Sequence, residues 1–337
     1  MDSLEVSVLD QEIVDALQIS PRASWASVGR ALGVSEITVA RRWRSLETRG
    51  LAWTGIALHP GVSYGAVLEV RCAPREIDNL ANGLAQHPDV STLGQTTGSY
   101  NLFAIIIATT LEGVLDAVHG GLPELIGATE VRTNLFHQMT GGVDWRQGIL
   151  SAAEERQIQD ERRRSHGDAH RLLATHDRDL FLALSADARA PISSVARGLA
   201  RHPDAVSRRL AELEAANQVT FRCDVSRPAF DLQLGALVLM KTPPLESENT
   251  ARALGLQRET RFCASVVAEA NVILVVGLHD LADAERLLAR LAVDHPDGEI
   301  VDRRVLTRMF KIHGRLLDDQ GRSVGHVPVD PWIRSRA

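Results

Sequence analysis

The sequence predicts an α+β chain made of two tandem copies of one unit. In each copy a three-helix, winged-type helix-turn-helix module is followed by a ferredoxin-like βαββαβ sandwich. Three observations lead there. The first is an internal repeat within the 337 residues. At an offset of 167, Ala23, Ser27, Val28, Arg30 and Leu32 fall on Ala190, Ser194, Val195, Arg197 and Leu199. Val39, Arg41, Arg42, Leu46 and Glu47 then fall on Val206, Arg208, Arg209, Leu213 and Glu214 without a gap. At an offset of 170, the run opening at Asn101 falls on the run opening at Asn271. Self-similarity of this kind marks repeated folding units. The second observation is a pair of short amphipathic helices meeting at a glycine turn. The third is the strand and helix order that follows it.

Taken in order, Leu9, Ile13 and Leu17 give the first helix one apolar face. Ser24 is placed to cap the second helix, where Trp25, Val28 and Leu32 line up. Gly33-Val34 makes a tight turn, Ser35 caps the third helix, and Gly50 ends it. With Val39, Trp43 and Leu46 facing the core, a helical wheel turns Ile37, Arg41 and Arg44 away from it. Thr38 and Ser45 lie to one side, and Arg42 flanks the core. Such a face suits base edges and phosphates in a major groove. The plainer reading is a solvated charged face. In the second copy Arg208 again points outward, with Arg209 beside it, but Asp204 replaces Ile37 and Ala211 replaces Arg44. Ala200-Arg201-His202-Pro203 replaces the glycine turn. An acidic residue at the groove face repels phosphate, so the second module is expected to hold DNA more weakly or to read a different half-site.

The sandwich follows. Tyr64–Ala73 reads as a strand, Pro74–Gln86 as a helix, and Val90–Thr97 and Leu102–Thr109 as strands joined by Gly98-Ser99-Tyr100-Asn101. Leu111–Gly121 reads as a helix and Thr129–Met139 as the last strand. The second copy places strands near Leu234–Thr242, Thr260–Ala268, Val272–Leu278 and Glu299–Phe310, with helices near Leu245–Gln257 and Asp280–Val293. The expected domains are residues 1–58, 62–147, 176–228 and 232–318, with 148–175 a linker or solvated helix rich in both charges.

Composition bounds the rest. Hydrophobic residues are 45% and charged residues 24%, enough apolar surface for packed cores. The net charge of -6 gives no global basic field, although DNA binding needs only a local one. Lysine occurs only as Lys241 and Lys311, so the cations are almost all arginine. Cys72, Cys223 and Cys263 form no CxxC pair, which fits a reducing cytoplasm. The apolar runs Leu102–Ala108 and Val272–Val276 are strand-length, not membrane spans. His166, Asp168, His170 and His176 match no metal-site pattern, and no P-loop, GxSxG, HExxH or dinucleotide fingerprint occurs. No metal, cofactor or catalytic residue is therefore expected.

A helix-turn-helix followed at once by such a sandwich resembles the Lrp/AsnC family of transcription regulators. The resemblance rests on Leu9-Asp10, Leu32-Gly33-Val34-Ser35, Arg41-Arg42 with Leu46-Glu47, and Thr97-Gly98-Ser99-Tyr100-Asn101-Leu102. It implies a DNA-binding regulator whose sandwiches, called RAM domains, pair into homo-oligomers and sense an amino acid or other small metabolite. By that resemblance double-stranded DNA meets Ser35, Ile37, Thr38, Arg41, Arg42, Arg44 and Ser45, with Arg208 and Arg209 in the second copy. The effector meets Thr97, Gly98, Ser99, Tyr100 and Asn101, with Asn271 in the second copy. The family typically has aspartate where Asn101 and Asn271 stand, and the second turn, Ala268-Glu269-Ala270-Asn271, lacks the glycine. Losing the carboxylate removes a partner for an effector ammonium group, and the second turn lacks the glycine that lets a ligand approach the backbone closely. Siroheme decarboxylases are similar in layout, but the segment Leu58–Gly65 offers only His59 of their histidine-rich pocket. A metabolite-sensing protein without DNA binding is the other alternative.

Overall fold

The computed structural model describes residues 6–119, 122, 125–137, 139–142, 145–164 and 173–332. The group His166, Asp168 and His170 lies outside them. In chain order the first half runs α1 (Val8–Ile19), α2 (Trp25–Ala31), α3 (Glu36–Thr48), β1 (Ala52–Leu58), β2 (Tyr64–Cys72) and α4 (Ile77–Gln86). It continues through β3 (Val90–Thr96), β4 (Leu102–Ala108), α5 (Leu111–His119), β5 (Ala128–Phe136), β6 (Met139–Gly141) and α6 (Ala152–Arg164). The second half runs α7 (Arg178–Ser185), α8 (Ile192–Gly198), α9 (Pro203–Ala215), β7 (Val219–Val225), β8 (Leu234–Lys241) and α10 (Ser247–Gly255). It ends with β9 (Thr260–Ser265), β10 (Val272–Leu278), α11 (Leu281–Asp294), β11 (Glu299–Ile312), β12 (Arg315–Leu317) and β13 (Ser323–His326).

These elements form two compact units, each drawn from two stretches of chain. One is Met1–His59 with Arg146–Phe230, the other Pro60–Trp145 with Asp231–Ala337. In the first unit, α1–α3 and α7–α9 are two three-helix modules. Serine caps organise the first: Ser7 and Asp10 exchange hydrogen bonds, Ser24 accepts from Ser27 N, and Ser35 accepts from Thr38 N. Ile13, Leu17, Val28, Val39, Trp43 and Leu46 close its core.

The winged expectation is corrected here. Among the described residues each module supplies one strand, β1 or β7, and these pair with each other as an antiparallel ribbon. The register runs from Ala52↔Val225 to Leu58↔Val219, with Gly55↔Arg222 at its centre. A lone strand leaves its backbone groups unpaired, and the other module's strand satisfies them. Arg22 and Arg189, which the repeat aligns with each other, make reciprocal contacts across the same interface. Arg22 donates to Ala188 O, and Arg189 donates to Pro21 O and Ala23 O at 2.7 and 2.8 Å.

Much of the expected linker is docked. The buried Asp15 carboxylate accepts from the N–H groups of Gly148, Ile149 and Leu150 at 2.7–2.9 Å. Beyond them α6 packs on α1 and α2, burying Ile158.

In the second unit the strand order is β5-β2-β4-β3-β11-β8-β10-β9-β6, two four-stranded sandwich sheets joined edge to edge. Helices α4 and α5 cover one core, with Leu68, Leu80, Leu84 and Ile106, and α10 and α11 cover another, with Val238, Leu254, Leu274 and Leu291. Strand alternation turns Val67, Phe103 and Ile105 of the first sheet to its other face, and Leu237, Leu239 and Ile273 of the second likewise; all are buried.

The two sheets meet through matching junctions. Met309 pairs with Gly94 and Met139 with Ala264; Thr97 N donates to Val305 O at 2.9 Å and Val267 N to Leu135 O at 3.1 Å. Partner for partner, an offset of 170 carries one junction onto the other. Here β11 runs past the expected Phe310 to Ile312, whereas the expected strand Thr129–Met139 stops at Phe136 and resumes as β6. The Pro243-Pro244 pair delays α10 to Ser247.

Candidate nucleic-acid interface

The turn between α2 and α3 fixes how the third helix is presented. Gly33 has φ +68°, a left-handed conformation that glycine adopts without a Cβ penalty. At Gly29 a Cβ would sit 2.6 Å from Val34 O, so glycine lets α2 approach the turn closely. The second module keeps the same path with other residues. Ala200 takes the left-handed position at φ +51°, and Asn217, at φ +49°, stands where Gly50 ends α3 at φ +66°. His202 replaces the serine cap, its Nδ1 lying 3.3 Å from Asp204 N.

On α3 the wheel separates as expected. Ile37, Arg41, Arg44 and Ser45 are exposed, with Ile37 at 75%. Among the described residues Arg41 and Arg44 enter no hydrogen bond or ion pair, so both guanidiniums are available to a ligand. Thr38 is half-buried, and its hydroxyl lies 2.9 Å from the Ser35 hydroxyl. Ser35 therefore serves the helix end first.

Arg42 is placed otherwise. It reaches back to the first helix, meeting Ser7 Oγ at 3.0 Å and Asp10 at 3.3 Å. Arg209 makes the same link in the second module, bonded to both oxygens of Asp177 at 2.7 and 2.8 Å and to Glu212 at 3.2 Å. Asp177 is fully buried. Burial opposes its charge, yet the Arg209 hydrogen bonds and the Ala174 N–H hold its carboxyl below the usual value. The same bond raises the Arg209 guanidinium against its burial. Both arginines are struts between the third and first helices of their modules. At the offset of 167 their acidic partners also align, Asp10 with Asp177.

The outward face of α9 differs. Arg208 is exposed and, among the described residues, makes no hydrogen bond or ion pair. Asp204, with an 88% exposed side chain, stands at the position of Ile37. The outward face of α3 thus carries two unpartnered arginines, and that of α9 one, beside an exposed Asp204 carboxylate 3.5 Å from His202 Nδ1.

The turn after β3 was expected to meet an effector, and several of its polar atoms are engaged within the protein. Thr97 bonds Val305 through its N–H and its hydroxyl, and a Cβ at Gly98 would lie 3.2 Å from Arg304 Cγ. Ser99 O accepts from Arg71 Nε at 3.0 Å. Tyr100 is 4% exposed, donates to Glu130, and lies 4.8–5.5 Å from the guanidiniums of Arg132, Arg71 and Arg304. The Glu130 hydrogen bond and burial raise its hydroxyl's pKa.

Asn101 brackets the end of the neighbouring strand. Its Oδ1 accepts from Cys72 N at 3.1 Å and its Nδ2 donates to Cys72 O at 2.8 Å. Asn271 does the same to Thr242, at 2.8 and 2.9 Å. The amide both donates and accepts here, which an ionised aspartate cannot do.

The residues missed in sequence are Glu69, Asp302 and Arg304. Glu69 is fully buried, accepts from Asn134 Nδ2 at 2.9 Å and pairs with Arg304. Its signal was a lone carboxylate in the apolar run Val67-Leu68-Glu69-Val70.

Comparison with known proteins places this geometry. The profile of AsnC-type helix-turn-helix domains matches residues 7–47. Over 111 residues the chain is 31% identical to the HTH-type transcriptional regulator Ptr1 of Methanocaldococcus jannaschii, covering 32% of this chain and 74% of that protein. It is 27% identical over 127 residues to the HTH-type transcriptional regulator LrpA of Pyrococcus abyssi, covering 36% of this chain and 89% of that protein. A solved structure, the siroheme decarboxylase NirDL, aligns over 93% of this chain and 96% of its own, with a TM-score of 0.57 and 10% identity. At that identity the likeness is one of fold alone.

Proposed function

Because the chain belongs to the Lrp/AsnC family of HTH-type transcriptional regulators, we propose that it binds double-stranded DNA sequence-specifically, with α3 in the major groove. The observation that carries this reading is the outward face of α3, where Arg41 and Arg44 stand exposed beside Thr38 and Ser45 with no partner among the described residues. Guanidinium forks at these positions suit phosphate oxygens and guanine edges.

The chain is read as two copies of one unit, a heterodimer built into a single polypeptide. The ribbon of β1 and β7 and the reciprocal Arg22 and Arg189 contacts support a pseudo-twofold pair of modules. The first module supplies most of the affinity, because α9 carries one free cation fewer and an exposed carboxylate. The sandwiches act as RAM domains that assemble further copies of the chain and respond to a small metabolite.

A gel shift on the DNA upstream of its own gene, repeated with a metabolite panel, tests this. Binding that weakens about 30-fold in R41A/R44A supports the reading. Retention of no genomic DNA at low salt would instead favour a metabolite sensor without DNA binding. The layout shared with a siroheme decarboxylase is tested by titrating a tetrapyrrole and recording the visible spectrum, where no shift is expected.

A further inference from the structure

Between the two sandwiches of the second unit, the matching junctions carry unlike residues. At the offset of the sandwich repeat, Glu69 corresponds to Leu239, Asn134 to Arg304, and Arg132 to Asp302. The first sandwich thus contributes a buried carboxylate and amide, and the second a buried leucine and guanidinium. Glu69 joins the two sides. One oxygen accepts from Asn134 of its own sheet at 2.9 Å, and the other pairs with Arg304 of the second sheet. Arg304 also donates to Asp302 at 2.8 Å and to Tyr100 O at 3.3 Å. Both members of the pair are at most 2% exposed, so neither charge has water as an alternative partner.

We propose that the Glu69–Arg304 pair selects the partner of each sandwich: the inner face of the first fits the second sandwich and rejects another copy of itself. Exchanging the partners shows why. Two first sandwiches would bring two Glu69 carboxylates and two Asn134 amides together with no buried cation. Only Arg132 remains, 3.9 Å from Glu69 and with a half-exposed side chain. Two second sandwiches would place each Arg304 against a Leu239, leaving the arm that met Glu69 unpaired. A buried charge that loses its partner is strongly disfavoured, whereas an apolar replacement of the whole pair is tolerated. The sequence asymmetry therefore keeps assembling chains from trading sandwiches through this face.

The full-length chain can imitate each forbidden pairing internally. L239E/D302R/R304N gives both sandwiches the first set of residues, and E69L/R132D/N134R gives both the second set. E69L/R304N removes the charged pair and leaves leucine and asparagine on both sides. Thermal unfolding followed by circular dichroism is expected to place both triple variants at least about 10 °C below E69L/R304N, or unfolded. E69L/R304N itself is expected to melt within about 5 °C of the unaltered chain. Either triple variant melting as high as E69L/R304N overturns the proposal. So does an E69L/R304N chain that unfolds along with them, since the pair would then be needed whatever the partner.

Discussion

Replacing Arg41 and Arg44 together by alanine removes the two cations of α3 that have no protein partner among the described residues. Each arginine that neutralises a phosphate releases condensed counterions. The slope of log K against log salt should then become shallower by about 0.9 per contact, or about 1.8 for the pair. At physiological salt each lost contact is worth about 1 kcal/mol, so the double variant should bind about 30-fold more weakly. Arg208→Ala removes one cation from α9, a face already offset by Asp204. Its slope should change by at most about 0.9 and its affinity by about fivefold or less. Fluorescence anisotropy on one duplex at several salt concentrations reads both quantities. Arg42→Ala is the internal control, because Arg42 is bonded to Ser7 and Asp10, and its slope should match the unaltered chain. An unchanged slope in R41A/R44A, or a loss in R208A as large as in the double variant, would refute the reasoning.

The two struts should differ in stability. Arg209→Ala leaves the fully buried Asp177 without its cation and should cost about 3 kcal/mol, while Arg42→Ala removes a 39% exposed guanidinium from an Asp10 that keeps its Ser7 hydrogen bonds, and should cost about 1 kcal/mol; equal losses in urea melts would contradict this. Gly29→Ala drives a Cβ against Val34 O and should destabilise by about 2 kcal/mol or more, whereas Ala200→Gly relieves a left-handed alanine and should stabilise by about 1 kcal/mol. A destabilised A200G chain would show that the turn tolerates alanine without strain. Lys311 is fully buried, donating to His87 O at 2.8 Å, and burial pushes its ammonium down to about 7, with Asp89 pulling the other way. Between about pH 7 and the ordinary value of 10.5 the unfolded chain holds the proton and the folded chain does not, so stability rises with pH across that window. Below pH 7 both states are charged and the full cost of burying the ammonium is present. Lys311→Met should therefore stabilise by at least about 1 kcal/mol at pH 6, with a gain that fades towards pH 10, and a gain independent of pH would refute it.

The helices and sandwich strands were legible because their signals are local: serine caps, a glycine turn and apolar periodicity each act within a few residues. What escaped depends on pairing over long separations. The strands β1 and β7 have no hairpin partner nearby and exist because each satisfies the other from the opposite half of the chain. The docking of Gly148–Leu150 follows from the buried Asp15, which the sequence presents only as one acid in a helix. At the candidate interface the wheel separated Arg41 and Arg44 from the core correctly, but Arg42 and Arg209 needed their distant acids to be read as struts. Asn101 and Asn271 were expected to meet an effector because of the family resemblance alone. Their bonds to Cys72 and Thr242 show a backbone role that no spacing rule displays.

The most direct test of a built-in heterodimer on DNA is selection from a random duplex library with the full-length chain. The expected consensus holds two half-sites about one helical turn apart whose sequences differ, with the stronger half-site lost in R41A/R44A. A palindromic consensus, or no enrichment of any sequence at low salt, would contradict it.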